Sequence, residues 1–342
     1  MIERKVVLIT GGAGYIGSHT TLVLLRAGYK VLVLDNLSNS SYLSLKRVSK
    51  MTGTAPSFVH GDVRDRRLLD NLFRLNKVDS VIHFAGLKAV GESVNDPLSY
   101  YSNNTAGTVT LCQAMAAAGV CSLIFSSSAT VYGNGATVPI NEEQMADYPT
   151  NPYGRSKRMI EQILFDLARS NDKWSIGVLR YFNPVGAHES GLIGEDPLGV
   201  PNNLLPYLAQ VALGKMPELP IFGDDYETHD GTGVRDYIHV MDLAEGHLSA
   251  LTALETRSGV NIWNLGTGKG YSVLEVVQAF EAANGCNVPY RIVGRRPGDI
   301  AVCYADPSKA ARELGWHAKL DLTTMMRDTW RWQTLNPNGY RD

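Results

Sequence analysis

With 342 residues, 44% of them hydrophobic and 19% charged, the chain can bury one large core or two ordinary ones, which excludes a disordered or fibrous protein. Its formal net charge is −2 and its Lys and Arg are scattered, so no basic face for a nucleic acid is expected. Nowhere do 18 apolar residues run together, which argues against a membrane span.

The chain opens Met1-Ile2-Glu3-Arg4-Lys5 and drops at once into a short apolar run, without the longer apolar core and cleavage site of a secretory signal. Strands are predicted over 6–10, 31–35, 57–59, 81–84, 123–127 and 176–181, rich in Val, Ile, Leu and Phe as parallel strands covered on both faces should be. Between them, helical periodicity covers 18–27, 66–74, 105–118 and 156–170. This alternation implies right-handed βαβ crossovers and an α/β fold with an open, doubly wound parallel sheet of the Rossmann type. Small and polar residues follow the strand ends, as at Asp35-Asn36, Gly61-Asp62, Ala85-Gly86, Ser126-Ser127-Ser128 and Phe182-Asn183-Pro184, so a ligand should lie along that edge.

After residue 183 the rhythm weakens, and 184–234 is loop-rich. We read residues 1–183 as a dinucleotide-binding domain and 184–342 as mainly a smaller, interleaved substrate domain. The stretch 237–251 has the pattern of a strand and helix that could rejoin the main sheet. Cys112, Cys121, Cys286 and Cys303 form no C-x-x-C pair and read as reduced thiols of a cytoplasmic protein. The eight histidines show no metal-ligand spacing, so no metal is expected.

Thr10 to Gly17 joins the first strand to the first helix and satisfies two glycine spacings, Gly12/Gly14/Gly17 and Gly11/Gly14/Gly17. Glycines there allow a tight turn and let backbone amides at a helix N-terminus approach a pyrophosphate. Asp35 ends the second strand 18 residues after Gly17, where a carboxylate accepts from ribose hydroxyls and repels a 2′-phosphate, favouring NAD over NADP. Asp35 could instead cap the next helix. Asp62 could bind the adenine amino group or merely shape a turn.

Tyr153 and Lys157 stand at i and i+4, on one face of a helix. A free phenol, with a pKa of about 10, is a poor base. A nearby ammonium favours the phenolate, which can then take a proton from a sugar hydroxyl while a hydride leaves the same carbon. Ser126-Ser127-Ser128 closes a buried strand upstream and brings a hydroxyl to the same edge.

These motifs resemble the extended branch of the short-chain dehydrogenase/reductase superfamily. The runs 10–17, 83–93, 126–133, 179–187 and 234–239 resemble the UDP-glucose 4-epimerase family within it, and the likeness extends to Trp330-Arg331-Trp332-Gln333. The resemblance implies a reversible, NAD-dependent inversion of C4 through a 4-keto sugar, with NAD held tightly and regenerated each turnover. It implies Tyr153 as base and acid at O4, Ser128 as relay, and Lys157 on the nicotinamide ribose. Gly11, Gly14, Tyr15, Ile16, Asp35, Asn36, Asp62, Val63, Phe84, Lys88, Asn103 and Tyr181, with Tyr153 and Lys157, match the family's NAD contacts. Asn183, Asn203, Leu204, Phe222, Arg235, Arg296 and Asp299 fall in motifs that hold UDP, and Lys88, Ser128 and Tyr153 also face the sugar nucleotide.

One rival lacks its chemistry here. Related 4,6-dehydratases carry a Thr-Asp-Glu stretch whose acid and base eliminate water, whereas this chain has Ser128-Ala129-Thr130. UDP-glucuronate epimerisation and a catalytically silent NAD-binding regulator remain as alternatives. Family members differ at the position that is Cys303 here, some carrying a bulky tyrosine; the smaller side chain implies that UDP-GlcNAc and UDP-GalNAc also fit, unless Cys303 is merely a small buried residue. The apolar faces of 105–118 and 156–170 could pair into a homodimer, or simply cover the sheet.

Overall fold

The computed structural model describes residues 4–146, 149–296 and 298–341. Residues 1–3 of the N-terminal reading and Pro297 of the 296–299 stretch lie outside them. The first half runs β1 (Val6–Thr10), α1 (Tyr15–Arg26), β2 (Lys30–Asp35), α2 (Tyr42–Thr52), β3 (Ser57–His60), α3 (Arg66–Leu75) and β4 (Ser80–His83). It continues through α4 (Val90–Asn95), α5 (Pro97–Tyr100), a π-helical turn (Tyr101–Ala106), α6 (Gly107–Ala118), β5 (Ser122–Ser128), α7 (Pro152–Ser170) and β6 (Ser175–Tyr181). The second half comprises β7 (Asn183–Val185), α8 (Leu204–Ala212), β8 (Leu219–Phe222), β9 (Val234–Arg235), β10 (Tyr237–His239) and α9 (Val240–Ala253). After these come β11 (Gly259–Leu265), β12 (Tyr271–Ser272), α10 (Val273–Asn284), β13 (Tyr290–Val293), β14 (Val302–Cys303), α11 (Ser308–Leu314) and α12 (Leu322–Leu335).

Seven parallel strands form the central sheet in the order β11-β6-β5-β4-β1-β2-β3. The strand side-chain period of two splits the apolar runs between two layers. Val7, Ile9, Val33 and Ile124 pack under α1, α2 and α9, while Leu8, Leu32, Val81, Leu123 and Phe125 pack under α3, α6 and α7. Both faces are covered, which is why the strands read as unbroken hydrophobic segments. After β3 the chain crosses to β4 on the other side of β1, so the sheet order reverses between β1 and β4. Ligands of such sheets bind in the crevice at that switch point, outside the carboxyl ends of the strands.

The expectation for 237–251 needs correction in part. The strand at Tyr237–His239 pairs with β7 in a separate two-stranded sheet rather than joining the main one. Its helix, α9, does return to pack against α1. The seventh strand of the main sheet is β11, which pairs with β6 from Gly259 to Leu265. Among the described residues, β8 with β13 and β9 with β12 and β14 make further small sheets, and α8, α10 and α12 enclose a second core around Leu208, Phe280 and Met326.

Candidate active site

The loop between β1 and α1 is glycine-bound for steric reasons. Gly11 has φ +72°, and a Cβ there would lie 2.7 Å from the Ala85 backbone nitrogen. At Gly17 a Cβ would collide with the Gly11 carbonyl oxygen and lie 2.7 Å from the Gly12 Cα, so the first turn of α1 packs directly onto the loop. Gly12 has a packing role instead: a Cβ at this position would lie 2.8 Å from Val33. Gly14 is the N-cap of α1 and makes no side-chain cap bond, so the first amides of the helix, at Tyr15 and Ile16, keep their donors for an anion. The Tyr15 hydroxyl donates to the Gly186 carbonyl at 2.7 Å and ties this loop to the chain after β7.

Asp35 is nearly buried at the end of β2 and serves its own loop: it accepts from Ala13 N–H (3.0 Å), Leu37 N–H (2.9 Å) and the Ser40 hydroxyl (2.8 Å). It does not cap α2, whose cap is Ser41. Asn36 donates to Asp62 at 3.1 Å, and the Arg64 fork bonds both Asp62 oxygens at 2.8 Å. That fork holds the Asp62 carboxyl far below the usual range. Val63 is buried beside them, against Gly107 at the start of α6.

At the centre of the sheet edge, Asn151 caps α7 by accepting from Gly154 N–H, and Pro152 occupies the first turn. Tyr153 therefore sits one turn before Lys157 on the same face. Lys157 is 5% exposed; its ammonium donates to the Ser126 carbonyl at 2.8 Å and lies 4.9 Å from the Phe125 ring centroid and 5.9 Å from that of Tyr153. Burial pulls its pKa down to about 8, with the Glu161 charge opposing. Burial also pushes the Tyr153 phenol upward, and the Ser128 hydroxyl beside it pulls back. The hydroxyl of Ser128 thus stands near the phenol, whereas the lysine grips the strand end. Ser128 Oγ accepts from Thr130 N–H (3.2 Å) and Thr130 Oγ1–H (3.0 Å), which leaves its own proton to donate.

Phe84 lies at the end of β4, its ring 4.8 Å from His247, and Tyr181 is buried with its hydroxyl against His247 Nε2. Asn103 donates to Asn104 from the π-helical turn. The sequence reading missed Asn104, which accepts from Leu87 N–H at 2.8 Å and donates to Leu87 O and Ser156 Oγ, fixing the loop after β4 beside Lys157. It also missed His83, bridged between Thr10 (2.6 Å) and Thr108 (2.8 Å) and held neutral by burial, its pKa driven down to about 3.

The second half closes the edge. Asn203 is the N-cap of α8 without a side-chain cap bond, leaving the Leu204 end of that helix open to a ligand. The Arg296 guanidinium lies 3.7 Å over the Phe222 ring, and Asp299 N–H donates to the Arg296 carbonyl. Arg235 donates to the Val234 carbonyl, and Cys303 sits beside it across the β9–β14 pair. Cys303 is buried among Val131, Tyr132, Phe182 and Ala305, and burial pushes its thiol up to about 11. Asn183 is exposed at the mouth. Asp236, also missed, is fully buried and accepts from Thr267, Gly268 and Ala305, which ties the junction of β9 and β10 to the loop after β11 and to the chain leaving β14.

A family model described as GDP-mannose 4,6 dehydratase matches residues 8–329. A UDP-glucose 4-epimerase of Haemophilus influenzae is 62% identical over 336 residues, spanning 98% of this chain and 99% of the relative. The chain belongs to the UDP-glucose 4-epimerase family. A solved UDP-glucose 4-epimerase from Bifidobacterium longum, in complex with NAD+ and UDP, superposes with TM-score 0.96 at 55% identity and covers 98% of this chain and all of that one. Another from Stenotrophomonas maltophila, with NAD and formylated UDP-arabinopyranose, gives 0.95 at 54% identity over 98% of this chain and 99% of its own. The broad family model includes dehydratases by description, yet Ala129 and Thr130 follow Ser128 here, so the carboxylates that would eliminate water are absent from that stretch. In this epimerase-family site Glu161 completes the face begun by Tyr153 and Lys157. It accepts from Ser127 at 2.6 Å and pairs with the buried Arg180 fork at 2.8 and 3.0 Å.

Proposed function

We propose that the chain interconverts UDP-glucose and UDP-galactose by inverting C4, with NAD as a retained cofactor. The observation that carries this reading is the placement of Tyr153, Ser128 and Lys157 together at the ends of β5 and α7, beside the glycine loop at the switch point of the sheet. The loop fits a dinucleotide: a Cβ at Gly11 or Gly17 would fill the approach to backbone, and the first amides of α1 lack a side-chain cap. Gly11, Gly14, Tyr15 and Ile16 would hold the pyrophosphate, Asp35 the adenosine ribose, Asn36, Asp62 and Val63 the adenine end, and Phe84, Lys88, Asn103, Lys157 and Tyr181 the nicotinamide half. NAD held there would supply the hydride acceptor, and then the hydride donor, for C4 of the sugar.

The protein's own groups handle the proton and the grip. Tyr153 takes the proton from O4 and later gives it back, and Ser128 relays it by donating to the phenolic oxygen. Lys157 supplies a fixed positive charge beneath them. Asn183, Asn203, Leu204, Phe222, Arg235, Arg296 and Asp299 hold UDP, the arginines as a diphosphate clamp. A firmly held UDP leaves the hexose free to turn over between hydride removal and return. In this division residues 1–183 serve the cofactor and 184–342 mainly the sugar nucleotide.

Cys303 supports a wider substrate range, because it stands in register with Arg235 and is smaller than the tyrosine some family members carry at this position. UDP-GlcNAc and UDP-GalNAc should be turned over too, and Cys303→Tyr should depress that turnover at least tenfold while sparing the plain hexoses. Equal loss on both classes would refute the assignment. The homodimer reading stands on α6 and α7, where Met159 is 43% exposed. The four cysteines are free thiols, which suits a cytoplasmic location, and among the described residues no helix is long and apolar enough to cross a membrane. The direct test of mechanism is Tyr153→Phe, expected to lower kcat at least a hundredfold on UDP-galactose with NAD still bound; near-normal turnover would rule out Tyr153 as the base.

A further inference from the structure

Glu195 lies between the two ligand-holding halves and takes a bond from each. Its Oε1 accepts from the Lys88 ammonium at 2.8 Å and from the Asn203 amide at 3.0 Å. Lys88 belongs to the loop after β4, on the cofactor side, and Asn203 is the N-cap of α8, on the UDP side. The Glu195 side chain is 10% exposed, whereas that of Lys88 is 47% exposed, so the carboxylate is the buried member of the pair and the lysine the solvent-facing one. Glu195 is itself anchored, since its carbonyl accepts from Trp332 Nε1 of α12 at 3.0 Å. Its charge also reaches Tyr15 in the glycine loop, whose buried phenol it helps to push upward.

A carboxylate here is unexpected on electrostatic grounds. The residues around it would receive two diphosphates, and a fixed negative charge among them weakens the binding of both. Were Glu195 needed only to hold Lys88 and Asn203 in place, a neutral amide oxygen could accept the same two bonds. What only the carboxylate supplies is charge. We propose that Glu195 is a positioning residue that sets the anion affinity of the site, sharing one carboxylate between Lys88 and Asn203 so that the lysine charge is not fully added to the diphosphate grip. The consequence is a site that binds UDP-sugars firmly while still releasing them. This rests on the reading of the cleft as one for NAD and a UDP-sugar.

The test is UDP titrated calorimetrically into the purified holoenzyme and into its Glu195→Gln form, with thermal unfolding of both. Glutamine keeps the shape and an acceptor while removing the charge. UDP should bind about fivefold tighter to the variant, with a steeper loss of affinity as salt is added, because the site has become more positive. Glu195→Asp, which keeps the charge and shortens the reach, should leave UDP affinity within about twofold of the unchanged protein. Unchanged or weaker UDP binding by a Gln variant that unfolds at the same temperature would overturn the proposal. So would a loss in the Asp variant as large as any change in the Gln variant, since shape rather than charge would then govern. A protein that binds no UDP in any form would remove the reading of the cleft itself.

Discussion

Lys157 carries two opposite pH dependences. Its ammonium has a pKa of about 8 in the folded protein, against an ordinary 10.5. Between these values the unfolded chain binds the extra proton, so the stability contributed by this residue rises as pH climbs from about 8 towards 10.5, and the burial penalty is fully present below 8. Catalysis follows the charge instead. The rate should decline above about pH 8 as the ammonium is lost, and a pH–rate profile flat to about pH 10 would contradict the role given to Lys157. Gly17→Ala offers a steric counterpart. With a Cβ driven into the Gly11 carbonyl oxygen, the first turn of α1 must shift, so the variant should purify with much less NAD per chain, read from the cofactor released on denaturation. Both residues were legible in the sequence, because spacing alone places Gly17 at a strand–helix turn and Lys157 one turn after Tyr153. The partner of the Tyr153 phenol was less legible: Ser128 fills that place through the path of β5, which spacing does not reveal.

At the scale of the element, α7 shows where sequence reading stops. Tyr153, Lys157 and Glu161 follow one another at four-residue intervals on one face, yet only the first two were singled out. Glu161 acquires its meaning from Arg180 on β6 and Ser127 on β5, and such long-range partners leave no local periodicity. Removing it strands a buried guanidinium, so Glu161→Ala should cost about 3 kcal/mol or more in denaturant unfolding; a change below about 1 kcal/mol would show that the pair does not orient the helix. β11 escaped notice for a related reason. Its sequence, Gly-Val-Asn-Ile-Trp-Asn-Leu, breaks the apolar run with two asparagines. Asn264 is fully buried because Tyr132 donates to it at 2.7 Å and it donates to the Ile140 carbonyl at 2.8 Å. Tertiary partners make a buried polar residue acceptable in this edge strand of the main sheet, where propensity argued against a strand.

For the whole molecule, the strands of the alternating first half were readable to within a few residues because their apolar runs lie between two layers of helices, whereas α2, with only three buried residues, was not read. The sugar-nucleotide side was readable only through family resemblance. Asn203, Phe222, Arg235, Arg296 and Cys303 come from five separate elements and loops, and nothing in their spacing foretells that β9, β14 and α8 bring them to one edge. In the proposed reading, the glycine loop takes the dinucleotide, Tyr153 and Ser128 move the proton, and Arg235 and Arg296 grip the diphosphate. A catalyst that returns its hydride to the same substrate needs no second redox partner and no exchange of cofactor. The decisive measurement is therefore to supply the purified protein with UDP-galactose, add no NAD, and follow UDP-glucose. Steady conversion over many turnovers is the predicted result, whereas folded protein that converts nothing, with or without added NAD, would contradict the account.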